Sequence, residues 1–459
     1  MRKNFTLLLL TVLFALVACD NNESSVDIDT TQKQQDAIVD GKIPLNRAIS
    51  NANFVFRNTE ALGHKNRKIK SVDVLTKTNS KIVSTRSSVQ NEQDAPLAYV
   101  VNYENNEGFA ILAADTKLPP VISIGDKGNF DTEGFVNFIQ NNDTTRSNEE
   151  VNPAQMVQYA VVNNSLLLPP TGSGLLQAEG IDTTIILKCL PLVRTKWGQD
   201  APYNYYAPPT TNSNGEVVKS AAGCVPIAGA QVITSLCFHH NWRPLRQLSD
   251  EYFINWSTLN KMIFAGIIDF EQDDNSTNAL AAASLIRAIG EDIGANYGVT
   301  TGAYTEDLAN TYEKLGMLDT SYGNESNGDY ITTDSLFNMI ISKNCPVNAR
   351  TSRHTANGGL ASHAFVLDGW LRLEYSMYGN ITIPSLPSLP TRSENIQFKF
   401  DLVHANFGWY GYYDGYYLPA AFDLTEDKYN EYREINTGDI EAYVNIVYDL
   451  NVEYLIYKL

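Results

Sequence analysis

Residues 220–240 read SAAGCVPIAGAQVITSLCFHH. After Gly223, small and apolar residues recur at helical spacing, which predicts a helix with one apolar stripe over about residues 225–240. Pro226 is compatible with a helix only in the first turn, where its missing N–H leaves no hydrogen bond unmade. Cys224 is therefore expected at the helix N-terminus, where the helix dipole stabilises a thiolate. This position suits a nucleophile and a small structural cysteine equally well.

The length and charge of the chain restrict its class. Its 459 residues exceed what one hydrophobic core usually holds, so we expect two domains. With 52 acidic and 34 basic side chains, the formal net charge is -18 at pH 7. Such a surface repels the phosphates of nucleic acids. The sequence therefore predicts a globular protein without a nucleic-acid partner.

The N-terminus, MRKNFTLLLLTVLFALVAC, indicates export. Its basic start and short apolar run predict a signal peptide over residues 1–18. The last four residues, Leu16 to Cys19, resemble the bacterial lipobox, which implies that Cys19 is lipidated. The polar residues 19–41 are typical of a flexible tether. We expect an exported protein that is lipid-anchored to the cell envelope, with plain secretion as the alternative.

The other four cysteines are Cys189, Cys224, Cys237 and Cys345. They form no CxxC motif and no Cys/His cluster, so we expect no metal site. Cys237 lies on the apolar stripe of the predicted helix and is interpreted as a core residue. In an exported protein the remaining cysteines fit either disulfides or free thiols, and their spacing does not decide between these.

Composition divides the rest of the chain into three parts. Residues 42–145 form a predicted small α+β unit, in which two β-rich runs surround a polar turn. Residues 146–184 are rich in Asn, Thr, Pro and Gly and are expected to be a linker that proteases cut. Residues 185–459 place helices first and strands later, which favours an α+β domain. The candidate bonds for an activating cut follow Arg146, Lys188 and Arg194, with a cut at another bond as the alternative.

A nucleophilic cysteine needs a base, so the six histidines are the candidates. His363 opens the apolar run HAFVLDGW directly after a glycine-containing loop, a position from which its side chain would face a cleft. A structural role for His363 is the alternative. His404 is a rival base, but strand alternation places it among inward residues, which suits a buried structural role better.

Two further residues complete a possible site for attack on an amide. The same alternation places Asn406 inward at the end of a strand, where its side chain would orient an imidazole. Its alternative is a turn residue before Gly408. The amide of Gln199 and the backbone N–H of Cys224 would together stabilise an oxyanion.

Four motifs carry these residues in the order Gln, Cys, His, Asn: WGQDAPYN (197–204), GCVPIAGAQVI (223–233), HAFVLDGW (363–370) and HANFGWYGYYDGYY (404–417). Together they resemble the streptopain family of bacterial papain-like cysteine peptidases, whose last motif reads His-x-Asn-Trp-Gly-Trp-Gly. The stretch YVVNYENNEGFAILAADTKLPPVI (99–122) is similar to the prodomain of that family. The resemblance spans most of residues 45–420.

The resemblance implies an α+β papain-like fold: a helical part around a central helix, then an antiparallel sheet, preceded by a small inhibitory prodomain. It makes Cys224 the nucleophile and His363 the general base and acid. It makes Gln199 an oxyanion donor and Asn406 the residue that orients the histidine. Protein or peptide substrates are implied, with the chain's own prodomain as inhibitor and no cofactor or metal.

Gly223, Ser362 and Trp409 are implied to line or shield the cleft. Three features depart from the family pattern. Phe407 stands where the family has tryptophan, and Ser362 precedes the histidine where glycine is common. The connection over residues 377–395 is long and is expected to form an added hairpin or lid.

The prediction is an exported cysteine endopeptidase that is made as a zymogen over residues 42–459. Two alternatives remain. One is a papain-fold amidase that acts on cell-wall peptides, and the other is a non-catalytic surface lipoprotein that uses the fold for binding.

Overall fold

The computed structural model describes residues 38–39, 41–59, 67–78, 81–86, 96–116, 118–140, 153–166, 177–178, 180–244, 246–323, 333–354, 360–381, 392–419 and 451–458. The predicted signal peptide, the lipidation residue Cys19 and residues 19–37 of the tether lie outside the described residues. None of the helices in these ranges is long and apolar enough to cross a membrane.

The N-terminal domain is an antiparallel sheet with helices packed on it. Its helices are α1 (Leu45–Thr59) and α2 (Thr132–Gln140). Its main strands are β2 (Ile69–Thr78), β3 (Lys81–Arg86), β4 (Pro96–Tyr103), β5 (Phe109–Ala113) and β6 (Val121–Gly125). The short strand β1 (Ile38–Val39) pairs with β7 (Gln177–Ala178). Helix α1 forms because Ala48, Ala52 and Val55 recur at spacings of four and three and are all buried.

A third helix, α3 (Pro153–Leu166), lies where the sequence predicted a loose linker. Tyr159 in α3 packs against three phenylalanines of the N-terminal domain, with ring centroids 5.5, 5.7 and 5.5 Å away: Phe130, Phe135 and Phe138. The predicted linker over 146–184 is therefore wrong for this stretch. The apolar residues that are buried in α3 stand among Asn and Gln residues, and this composition led to the prediction of a linker.

The larger domain is built around α4 (Cys224–His239), which begins one residue earlier than predicted and is buried over most of its surface. The helices that follow are α5 (Trp256–Phe264), α6 (Thr277–Asp292), α7 (Asp307–Leu315) and α8 (Thr333–Phe337). A π-helical turn, Asn338–Ser342, continues α8. Cys237 is buried within α4, as predicted. Helix α4 packs against α5, α6 and the sheet, which makes it the central helix of the domain.

The strands of the larger domain are β8 (Gly180–Cys189), β9 (Pro209–Thr211), β10 (Val217–Lys219), β11 (Leu318–Gly323), β12 (Val347–His354), β13 (Leu360–Ile381), β14 (Arg392–Asn406), β15 (Gly415–Tyr417) and β16 (Asn451–Lys458). Among the described residues, one antiparallel sheet has the order β11-β16-β12-β13-β14-β15-β6-β5-β4-β2-β3, with β8 beside the second half of β13. Strands β15 and β6 pair through Tyr417 and Ser123, so the sheets of the two domains are continuous.

The long connection between β13 and β14 is a hairpin, as predicted, because pairing continues to Ile381 opposite Arg392. Strand β8 lies along the edge of this hairpin and contacts the N-terminal domain. The Thr183 hydroxyl donates to Asn51 Oδ1 at 3.2 Å, and Lys188 Nζ donates to the carbonyl of Asn58 at 3.0 Å. The hairpin and β8 therefore form part of the surface against which α1 rests.

Candidate active site

Cys224 is the first residue of α4, and the residue as a whole is half-buried. The turn before it requires glycine, since Gly223 has φ +96° and a Cβ there would approach Thr301 Cγ2 to 2.9 Å. Burial raises the pKa of the Cys224 thiol, while the Ala364 backbone N–H and the Arg350 charge act in the opposite direction. The backbone N–H groups of Val225 and Cys224, at the start of α4, also act to lower the pKa of the thiol.

His363 lies on β13 and is buried, with 2% of its surface exposed. Its Nε2 is 2.8 Å from the carbonyl oxygen of Phe407. A carbonyl only accepts hydrogen bonds, so Nε2 carries the proton and Nδ1 carries the lone pair. Nδ1 is buried and has no hydrogen-bond partner among the residues that the structure describes. Burial lowers the pKa of His363 to about 4, so the imidazole is neutral at pH 7.

The structure brings the Cys224 thiol next to β13, at the backbone of the residue that follows His363. No hydrogen bond joins the two side chains, because His363 Nδ1 is unpartnered. Both groups are neutral here, since burial raises the pKa of the thiol and lowers that of the imidazole. The Cys224 thiol and the His363 imidazole therefore lie on neighbouring elements as two neutral groups, and not as a thiolate–imidazolium pair.

Asn406 does not contact His363 as the resemblance implied. Its Oδ1 accepts from Gln231 Nε2 and from the Gly408 N–H, each at 3.1 Å. Its Nδ2 donates to the carbonyl of Thr195 at 3.1 Å. The bond to the histidine comes instead from the next residue, because the chain turns at Gly408 (φ +69°) and directs the Phe407 carbonyl toward the imidazole. Asn406 thus joins the end of β14 to α4 and to the segment before Gln199.

Gln231 is a residue that the sequence analysis missed. It is fully buried in α4, and its Oε1 lies 3.3 Å from the Thr195 hydroxyl and 3.4 Å from the Trp197 N–H. The signal was present in the sequence, because a glutamine among the apolar residues of a buried helix needs polar partners. Gln231 links α4, the helix that carries Cys224, to Asn406 at the end of β14.

Gln199 lies close to the start of α4. Its backbone carbonyl accepts from the N–H of Ala222 at 2.7 Å, two residues before Cys224. The structure therefore brings together the two segments that the sequence assigned to an oxyanion hole. Gln199 is half-buried.

The predicted cleft residues occupy different environments. Ser362 is half-buried and accepts from Arg350 Nη2 at 3.1 Å. Trp409 is half-buried against the core, with its Nε1 buried and unpartnered. The ring of Phe407 is fully buried, 5.2 Å from the Phe365 ring, so it packs into the core. Arg350 was not identified from the sequence, and alternation along β12 gave no sign that it would lie near the thiol.

His404 occupies the buried position that strand alternation predicted. Its Nδ1 is 2.6 Å from Asp368 Oδ1, and its Nε2 is 3.6 Å from Asp126 Oδ2 of the N-terminal domain. Although burial acts to lower its pKa, the two carboxylates raise it to about 9. A charged imidazole held between carboxylates has no lone pair to offer, so His404 does not act as the base at neutral pH.

Comparison with known proteins gives two family matches and several similar solved structures. Residues 197–417 match the Peptidase C10 family, and residues 45–144 match the Spi protease inhibitor family. A prointerpain A fragment from Prevotella intermedia, solved as a cysteine-to-alanine mutant, is 19% identical, with 78% of this chain and 94% of that chain covered and a TM-score of 0.42. Active wild-type interpain A cysteine protease from the same organism is 22% identical, with 59% and 95% covered and a TM-score of 0.36.

No curated protein shows a significant sequence match to the chain. The two family matches follow each other along the chain, separated by residues 145–196, and fall in the two domains of the fold. They confirm the predicted family, the predicted α+β papain-like architecture and the predicted enzyme class. The chain belongs to the streptopain (Peptidase C10) family, and it is a cysteine peptidase zymogen with an N-terminal inhibitory prodomain.

Proposed function

We propose that Cys224 is the nucleophile of an endopeptidase and that His363 is its general base and acid. The observation that carries this proposal is the buried, unpartnered Nδ1 lone pair of His363 on the strand that adjoins the Cys224 thiol. The thiolate attacks the peptide carbonyl and forms an acyl-enzyme. His363 protonates the leaving amine and then removes a proton from the water that releases the product.

The oxyanion of the tetrahedral intermediate needs at least one preorganised donor. We assign this role to the backbone N–H of Cys224 and to the side-chain amide of Gln199. The bond between the Ala222 N–H and the Gln199 carbonyl supports this assignment, because it holds the Gln199 segment against the start of α4.

Neutral charge states account for latency in the zymogen. The raised pKa of the thiol and the lowered pKa of His363 both oppose the thiolate–imidazolium pair that catalysis requires. Once the prodomain leaves, water reaches the cleft, and hydration favours both charged forms. We propose that the prodomain inhibits by keeping this pair out of water.

Of the three candidate cuts, we propose the one after Arg146. Lys188 lies within β8, opposite Leu371 in the sheet, with its ammonium on the Asn58 carbonyl. Arg194 is half-buried, and its guanidinium lies 4.6 Å from the centre of the Phe238 ring. Backbone held in this way is a poor protease substrate. Arg146 lies outside the described residues.

The test is mass spectrometry of the chain from residue 20 onward, incubated with a thiol reductant and then with an epoxide inhibitor of papain-like enzymes. We expect the chain to trim itself near Arg146 and to take one inhibitor on Cys224, because both reactions need the thiolate. Cys224→Ala should do neither. Cys189→Ala, which removes another half-buried free thiol, should behave as the parent chain does.

The peptidase assignment of Cys224 is wrong if the parent chain does not trim itself and still takes no inhibitor after an added protease has removed its prodomain. Trimming by the Cys224→Ala chain would contradict it equally. A trimmed product that begins after Lys188 or Arg194 would contradict the proposed cut and leave the nucleophile assignment standing.

We also propose that the protein is exported and anchored through a lipid on Cys19. The basic, apolar and lipobox-like order of residues 1–19 supports this. The full chain, expressed in a bacterial host fed an alkyne-tagged fatty acid, should be labelled and remain in the membrane fraction. Cys19→Ser should lose the label. Unlabelled parent protein in the medium would show plain secretion instead.

A further inference from the structure

Tyr410 has an unusual backbone conformation beside the proposed oxyanion hole. Its φ is +56°, in the left-handed region that a residue with a Cβ rarely occupies. A strained residue persists when the surrounding contacts hold it, and such residues concentrate at functional sites.

Tyr410 contacts the chain both before and after Gln199. The Tyr410 N–H donates to the carbonyl of Trp197 at 3.1 Å. The Asp200 N–H donates to the Tyr410 hydroxyl at 2.9 Å. Between these two bonds the tyrosine ring lies against Gly198, where a Cβ would come within 2.2 Å of the ring. Tyr410 therefore contacts Gly198 and Asp200, the two neighbours of Gln199. It also contacts Trp197, the residue before Gly198.

Gln199 has one further anchor, the bond from the Ala222 N–H to its carbonyl at 2.7 Å. That bond fixes the backbone of Gln199 relative to α4, while the Tyr410 contacts fix the path of the chain on either side. A donor stabilises an oxyanion only when it is already held at the required distance and direction. The side-chain amide of Gln199 depends on this backbone for its direction.

We propose that Tyr410 is a positioning residue, which acts through Gln199 and holds its amide in the oxyanion hole. The inference rests on the role of Gln199 under the proposed function. The hydroxyl supplies the acceptor for Asp200, and the flat ring supplies the surface for Gly198. Glycine at position 410 would relieve the backbone conformation but would provide neither contact.

The first test is Tyr410→Phe in the full chain, processed by an added protease and assayed on a peptide substrate. We expect kcat to fall about tenfold with KM unchanged, the size of one lost hydrogen bond felt in the transition state. The rate at which iodoacetamide alkylates Cys224 should stay the same, because alkylation builds no oxyanion. Tyr412→Phe is the matched control, since Tyr412 is exposed and lies in the same loop.

A double-mutant cycle separates the inference from the proposed function. Gln199→Ala should lower kcat about 100-fold, as loss of an oxyanion donor does. Adding Tyr410→Phe to Gln199→Ala should cause no further loss, because the residue that it positions is gone. Additive losses would overturn the positioning role of Tyr410. Wild-type kcat in Gln199→Ala would overturn the role of Gln199 itself.

Tyr410→Gly distinguishes positioning from support of the fold. We expect it to lower kcat at least as far as Tyr410→Phe at temperatures where the variant is fully folded, because glycine relieves the positive φ but provides neither contact. A lower melting temperature with kcat unchanged would show that Tyr410 only stabilises the fold, which contradicts the inference.

Discussion

Replacing His363 with alanine is expected to lower kcat for peptide hydrolysis by about 10⁴- to 10⁶-fold, because the nucleophile and its base act as one unit. The Nδ1 lone pair of His363 is unpartnered beside the thiol, and its Nε2 is held by the Phe407 carbonyl. Steady-state kinetics on a peptide substrate measure the loss. His240→Ala is the matched control, because His240 is exposed and its ring contacts Asn344 and Cys345.

The same pair predicts how thiol reactivity depends on pH. In the unprocessed chain, iodoacetamide should alkylate Cys224 only at alkaline pH, because burial raises the pKa of its thiol and the neutral His363 supplies no positive charge. After processing, the profile should move to lower pH as hydration permits the ion pair. Cys224→Ala gives the background from other thiols. Identical profiles before and after processing would contradict the electrostatic account of latency.

The second large effect is expected at His404. His404→Gln should lower the free energy of unfolding by about 3–5 kcal/mol, because it leaves a carboxylate buried without its cation. Asp368 is fully buried, and its Oδ2 also accepts from the Val193 N–H at 2.7 Å, so it cannot turn toward water. Urea denaturation of the full chain at pH 7 measures the change.

The effect of His404→Gln has a defined pH dependence. The pKa of His404 is about 9 in the fold and about 6.5 without its partners, so its contribution is complete below pH 6.5. It is lost as the pH rises through 9. The difference between parent and variant should therefore shrink between pH 7 and pH 10. A difference that stays constant over this range would show that His404 contributes by packing alone.

Two further variants sharpen this test. Adding Asp368→Asn to His404→Gln should recover part of the lost stability, because no buried charge then lacks a partner. His239→Gln is the control, since the His239 ring bonds to the uncharged Leu192 carbonyl at 2.9 Å rather than to a carboxylate. It should cost less and show no change through pH 9.

The His404 cluster also connects the two domains. Asp126 belongs to the prodomain, and its backbone N–H donates to the carbonyl of Asp414 at 2.8 Å. The side chain of Asp414 pairs with Lys196 Nζ at 3.0 Å. The charges that stabilise the fold of the peptidase domain therefore also hold the prodomain against it, next to the strand end that supports His363.

Local rules in the sequence were sufficient for several features of the site. Pro226 restricted the start of the central helix to the few residues before it, which placed Cys224 at or next to the helix N-terminus. Alternation along β14 correctly assigned His404 and Asn406 to the interior, since side chains of a strand point to opposite faces in turn. Such rules depend on neighbours in the chain, so one sequence suffices to apply them.

Such local rules do not predict which distant groups these residues contact. Asn406 was expected to hold the histidine, but the turn at Gly408 assigned that bond to the Phe407 carbonyl and left Asn406 to Gln231 and Thr195. Helix α3 was read as a linker, because its burial depends on an aromatic cluster formed by residues elsewhere in the chain.

The sequence by itself determined the family and the order of the two domains, and it predicted the candidate residues of the site. The tertiary structure decided how those residues are held: which atom faces the imidazole, which charges surround His404, and how Tyr410 encloses the Gln199 segment. The physical reason is that residue type and local spacing set what a side chain is able to do. Its hydrogen-bond partners and its degree of burial arise only when distant segments pack together.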